Sequence, residues 1–209
     1  MEGCLTVTPR GILHTMSVDT AELTRRWRQS WPDCPPLGHV FRRHMPDRWV
    51  RFHFLPFGRR CPTTPADYDE ILHRYNTVLA AMTDESDSAA IYLVTVDYGD
   101  ADLARGTEPI HTGLHPGAQR WMRVADPADP ESVYGLHVSR AEFTPGSLDD
   151  LFRYVAEDRT SDVVVAGASL RWLFCPYGGG MDVIADSPGE RDRLAARFAS
   201  WRSDRPDGL

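Results

Sequence analysis

The 209-residue sequence contains no lysine, and all 23 of its basic residues are arginine. Without an amine side chain there is no Schiff-base nucleophile, no anchor for pyridoxal phosphate and no P-loop lysine. Cysteine is scarce. Cys4, Cys34, Cys61 and Cys175 are dispersed, with no C-x-x-C pair and neither the spacing of a zinc ribbon nor a disulfide framework. G-x-S-x-G and H-E-x-x-H are missing as well. No apolar run approaches the roughly 20 residues of a membrane span, and the N-terminus lacks a signal-peptide core. These absences predict a cytoplasmic protein with reduced thiols, no cofactor and no membrane partner. A formal net charge of −7 argues against nucleic acid as a partner for the whole surface.

What is present fits a globular chain that needs no staples: 42% hydrophobic and 25% charged residues in a length that suits one domain. Residues 1–16 are weakly patterned and read as a poorly ordered extension, leaving 17–209 as a single domain. A first helix is expected from Asp19 to Trp31, with Leu23, Trp27 and Trp31 on one face and Pro32 as its stop. Thr64-Pro65-Ala66-Asp67 opens a second helix. Its face holds Tyr68, Ile71, Leu72, Tyr75, Val78, Leu79 and Met82, the clearest helical period in the chain. Ser147 to Asp150 caps a third, and Ser187-Pro188-Gly189-Glu190 is a capping box for a fourth.

Strands are expected at 47–54, 90–98, 119–124, 132–139, 162–166 and 170–174. Another at 181–185 follows the Gly178-Gly179-Gly180 turn as a hairpin. Several connections are too short for a crossover. The fold class is therefore α+β: a mainly antiparallel sheet of about six to seven strands with four helices packed on one face. The long Asp97–Gly117 segment reads as a loop. Asp97, Asp100 and Asp102 make it acidic, without the spacing of a calcium site. His111 and His115 are four apart, but Gly113 and Pro116 argue against a helix that could use them for metal.

Chemistry concentrates in Asp47–Cys61 (DRWVRFHFLPFGRRC). Alternation sends Trp49, Arg51 and His53 to one face and Val50, Phe52 and Phe54 to the other. Pro56 and Gly58 then break the strand before Arg59 and Arg60. Guanidiniums match carboxylates and phosphates, so this cluster can bind an anion; it can equally pair with surface acids. Cys175 reads as a buried thiol, since a nucleophile needs a base that the sequence does not place.

Three stretches, RWVRFH at 48–53, NTVL at 76–79 and WLFCPYGGGMDV at 172–183, resemble an uncharacterised bacterial family of domains of unknown function, over about Leu23 to Leu209. The resemblance implies a small intracellular domain with immunity or accessory roles and brings no established activity. Relatives tend to have Ser at Phe54, polar residues near Phe57, Tyr at Cys61, His at Cys175 and Asp at Gly178. Those departures imply a greasier pocket here.

The first reading is a small-ligand pocket between the 48–61 segment and the 172–183 hairpin. In it His53 acts as acid or base and Tyr177 as a proton donor, Arg51, Arg59 and Arg60 bind an anionic group, and Phe54 and Phe57 bind an apolar or aromatic body. The reaction would be metal- and cofactor-independent: isomerisation, cyclisation, elimination or hydrolysis, as in specialised biosynthesis. The rival is a non-enzymatic immunity-type or regulatory domain whose acidic 97–102 loop meets a basic protein partner.

Overall fold

The computed structural model of the chain describes residues 13–84, 88–97, 113–203 and 205. Among these, eight strands form one sheet: β1 (Thr15–Met16), β2 (Trp49–His53), β3 (Ala90–Asp97), β4 (Gln119–Ala125), β5 (Val133–Glu142), β6 (Val164–Gly167), β7 (Leu173–Tyr177) and β8 (Gly180–Ile184). Their order is β1-β5-β3-β6-β7-β8-β2, with β4 on the same side of β5 as β1. Every pairing is antiparallel. The helices are α1 (Thr20–Ser30), the single turn α2 (Phe41–His44), α3 (Pro65–Asp84), α4 (Asp149–Ala156) and α5 (Pro188–Arg197). None is long and apolar enough to cross a membrane.

Local chemistry explains where the helices begin. Asp19 caps α1 by accepting from the N–H groups of Ala21 and Glu22 at 3.1 and 3.0 Å. Ser187 accepts from the N–H of Glu190, with Pro188 in the first turn of α5. Asp67 accepts from the N–H groups of Thr63 and Thr64, while the Thr64 hydroxyl accepts from its own N–H. Ser147 does not cap α4: Leu148 holds the cap position, and the serine hydroxyl instead accepts from Thr144 in the preceding turn.

Helices cover both faces of the sheet, not one as expected. Phe52, Ile91, Leu93, Val165, Phe174, Met181 and Val183 pack with α3, α4 and α5. Tyr92, Val94, Leu136, Val138, Val164, Leu173 and Ile184 pack with α1, the proline-rich turn and Phe41 of α2. The physical reason lies in strands such as β3, apolar on both faces, which need two covers. Among the described residues the strand and helix counts each exceed the expectation by about one, and α2 is the added helix. Thr15 and Met16 pair with Ala141 and Arg140, so the sheet begins inside the segment read as an extension. Residues 98–112 lie outside the described residues, and with them Asp100, Asp102 and His111. Asp97 itself lies 3.2 Å from the His137 ring.

Two features position the candidate site. Among the described residues β2 ends the sheet, paired only with β8. The β7–β8 hairpin turns through Gly179, whose φ of +132° few side chains tolerate. It then enters Gly180, where a Cβ would collide with the Phe52 carbonyl oxygen. From the opposite face, the fully buried Tyr75 of α3 sets its hydroxyl 2.9 Å from the Tyr177 carbonyl and 3.1 Å from that of Gly180.

Candidate functional site

Residues directly opposite in an antiparallel ladder share a face. The register therefore lays out three rows on the α1 side of β2, β8 and β7: Trp49, Ile184, Leu173; then Arg51, Asp182, Cys175; then His53, Gly180, Tyr177. The rows grade from apolar to polar toward the hairpin. Because Gly180 has no side chain, the Tyr177 phenol leans over it, 3.0 Å from where a Cβ would stand. His53 and Tyr177 thus share one face across a glycine. The 56–58 turn folds back toward the imidazole: a Cβ built on Gly58 would stand 3.7 Å from its ring.

The guanidiniums divide sharply. Arg51 makes two hydrogen bonds to Asp182, at 2.6 and 2.8 Å, and stacks over Tyr177 and Trp49. Arg59 donates to Asp67 at 2.5 Å. Two of the three expected anion-binders therefore already hold a carboxylate. Arg60 is exposed, donates to the Gly178 carbonyl at 3.2 Å and has no carboxylate partner among the described residues.

The two phenylalanines part in the same way. Phe54 points to the far face, fully buried against Tyr75, and lines no pocket with His53. Phe57 is fully exposed, with φ +60°. It and Gly58 (φ +66°) occupy the centre of a turn closed by a bond from the Arg59 N–H to the Pro56 carbonyl. Two positive φ values are those of a type I′ turn, whose first central position favours Asn, Asp or Gly. A phenylalanine there is strained.

Beside this turn lies a cleft of about 810 Å³ between β2 and the chain that follows α5. His53, Phe57, Arg74, Trp201, Arg202 and Arg205 line it, with no acidic residue among the described lining groups. Arg74 is buried, ion-paired with Glu70, donates to the His53 carbonyl at 3.1 Å and lies over the Trp201 ring. Tyr177 is not part of the lining.

Burial pushes the His53 imidazole below its usual range, and the charges of Arg51 and Arg74 push it further. It is neutral at neutral pH and able to accept a proton. Burial and the Asp182 carboxylate raise Tyr177 to about 12, so it stays a phenol and donates. Cys175 is driven well up, chiefly by burial, which leaves its thiol protonated and inert.

His115 is fully buried, its ring nitrogens 2.9 Å from the Thr95 hydroxyl and 2.7 Å from that of Ser139. No group of three His, Cys, Asp or Glu among the described residues is placed to hold a metal.

Residues 37–206 match the family model of a domain of unknown function, DUF3885. The chain belongs to that family. No curated protein and no solved structure matches it, so the chemistry of this DUF3885 domain has to be read from its own residues. Sequence reasoning missed five groups of the site: Asp182, Arg74, Trp201, Arg202 and Arg205. Asp182 had a signal, a lone acid inside the apolar MDVIA strand. Arg74 lies on a helix whose reading stopped at its apolar face. Trp201 and Arg202 fall where core helix gives way to an arginine-rich tail, and nothing local links that tail to β2.

Proposed function

We propose that this protein binds a small apolar or aromatic molecule carrying an anionic group in the cleft beside β2, with His53 as the base for a proton transfer on it. The observation that carries this is the described lining: Arg202, His53 and two aromatic rings with no acid among the described residues that line the cleft, in a chain whose net charge is −7. A cleft whose described lining is cationic and holds no acid attracts anions locally in an anionic protein. Its aromatic walls, Trp201 and the strained Phe57, suit a flat apolar body. A strained, exposed aromatic is the kind of feature that function maintains against stability.

In this reading the anionic group meets Arg202 and the neighbouring arginines, the role first expected of Arg51 and Arg59. Arg51 instead holds Asp182 and, with Arg74, keeps His53 neutral. Tyr177, a protonated phenol across Gly180, is the donor on the flank. The base-initiated forms of isomerisation, cyclisation and elimination begin with loss of a proton, and base-assisted hydrolysis with its loss from water; His53 serves any of them.

The test is a titration of the full chain with phenylacetate and indole-3-acetate against their neutral amides, read by NMR at the His53 ring and the Trp201 indole. The acids should perturb both groups, and the amides should bind about tenfold more weakly, as expected for loss of a charged contact. Phe57→Ala should weaken the acids without unfolding the protein. No perturbation at millimolar acid, or equal binding of acid and amide, would sink the reading.

A further inference from the structure

We infer that the outer edge of β2 is a docking site for an acidic, extended peptide segment of another protein, which adds to the sheet as a further antiparallel strand beside β2. The inference goes beyond the cleft and does not depend on it.

Backbone direction is the first argument. The bonds from the Ala185 N–H to the Arg48 carbonyl and from the Phe54 N–H to the Gly179 carbonyl fix the phase of the β2–β8 ladder. Even-numbered residues of β2 turn their backbone groups to β8, so Trp49, Arg51 and His53 turn theirs outward. Only the His53 carbonyl has a partner among the described residues, the Arg74 guanidinium reaching round from α3. The outward N–H and C=O of Trp49 and Arg51, and the N–H of His53, form the row of donors and acceptors that an added strand uses.

Charge selects the occupant. Between Leu37 and Ala66 the sequence holds six arginines and a single acid, Asp47; counting also Asp182 and Asp67, which hold Arg51 and Arg59, leaves a balance of +3 in a chain whose net charge is −7. That cationic segment is β2 and its flanks. Arg42 lies over the Trp49 ring at 4.9 Å, and Arg60 sits at the hairpin beside the other end of the strand. Arg42, Arg43 and Arg60 have no carboxylate partner among the described residues. A second copy of the chain suits the edge poorly, because antiparallel self-pairing centred on β2 sets Arg51 opposite Arg51. An acidic strand meets complementary charge at both ends.

The probe is a capped heptapeptide alternating glutamate with valine, compared with its lysine counterpart and with a version N-methylated at alternate residues. Amide exchange of the full chain, followed by NMR, should slow about tenfold at Trp49, Arg51 and His53 on adding the glutamate peptide. Val50 and Phe52, already bonded to β8, should not change. The lysine peptide should bind at least about tenfold more weakly. N-methylation should abolish protection, and R42E/R43E should lower affinity for the glutamate peptide while leaving the fold intact. Unchanged exchange at millimolar peptide overturns the inference, as does equal protection by the lysine peptide. Protection that rises with protein concentration alone would make the occupant a second copy and overturn it too. Phenylacetate should leave the Trp49 and Arg51 amides untouched, so failure here and failure of the cleft reading are distinguishable.

Discussion

Toward α3 and α5, strands β2, β8 and β7 present Phe52, Met181, Val183 and Phe174, all fully buried. Toward α1 the same strands run from Trp49, Ile184 and Leu173 through Arg51, Asp182 and Cys175 to His53, Gly180 and Tyr177. One face is sealed from end to end; the other is sealed only where α1, α2 and the proline-rich turn reach. Where the cover stops, side chains turn polar and the backbone comes close to a glycine. A site forms where one sheet face outruns its lid, and the same strands supply its rigid floor.

The sharpest break of this comparison uses two phenylalanines three residues apart. Phe54→Ala empties a fully buried position against Tyr75 and should cost about 3–5 kcal/mol of stability. It should leave phenylacetate affinity unchanged in the fraction that stays folded. Phe57→Gly relieves a left-handed backbone at a fully exposed position and should raise stability by about 1 kcal/mol while weakening the ligand. Urea denaturation with and without phenylacetate reads both. If the two substitutions move stability in the same direction, the division of labour between the faces is wrong.

A smaller effect is expected at the row between the apolar and polar ends. Arg51→Ala leaves Asp182 at 7% exposure without its partner, and should cost about 2 kcal/mol. The double variant Arg51→Met with Asp182→Leu carries the apolar rows one step further and should recover most of that loss. Denaturant midpoints of the two singles and the double give the coupling directly. A double variant no more stable than the worse single would mean that the pair does more than fill the row.

Much of this was legible in the sequence because it is local. Asp19, Ser187 and Pro65 mark helix starts by capping chemistry, and the seven-residue face of α3 declares its period. The alternation in RWVRFH correctly puts Arg51 and His53 opposite Phe52. It also sends Phe54 with Phe52, and once a helix is known to cover that face Phe54 cannot line a pocket with His53. What stayed hidden depends on partners distant in sequence. Asp182 neutralises Arg51 across 131 residues, and Trp201 and Arg202 meet β2 only because Phe198 anchors the end of α5 on Phe52. The second cover was hidden for another reason. The apolar run of β3 requires burial on both sides but does not say which helix supplies each.

The two covers are also fastened differently, and that gives the smallest predicted effect. The α3 side is held by apolar packing, whereas the proline-rich turn on the α1 side is tied by His39. Its ring lies 2.8 Å from Asp162 and 3.2 Å from Asp126, and its N–H donates to Asp162. Tyr134 and Ala128 donate to the same Asp126 carboxylate. The hydrogen bond to Asp162 raises His39 above its ordinary 6.5 against the opposing effect of burial, with the charges of Asp162 and Asp126 adding to the rise. The folded state therefore binds the proton more tightly than the unfolded chain. The resulting stability is fully present below about pH 6.5 and is lost as the pH climbs through the higher folded value. The side chain is 41% exposed, so screening keeps the effect modest and salt should shrink it further. Amide exchange in the 37–41 turn should accelerate as the pH rises past neutrality, after correction for the intrinsic rate, and exchange in α3 should not. His39→Gln should flatten the dependence. Equal acceleration in α3 would mean that the two covers open together, and that the sheet does not separate a pH-sensitive side from an indifferent one.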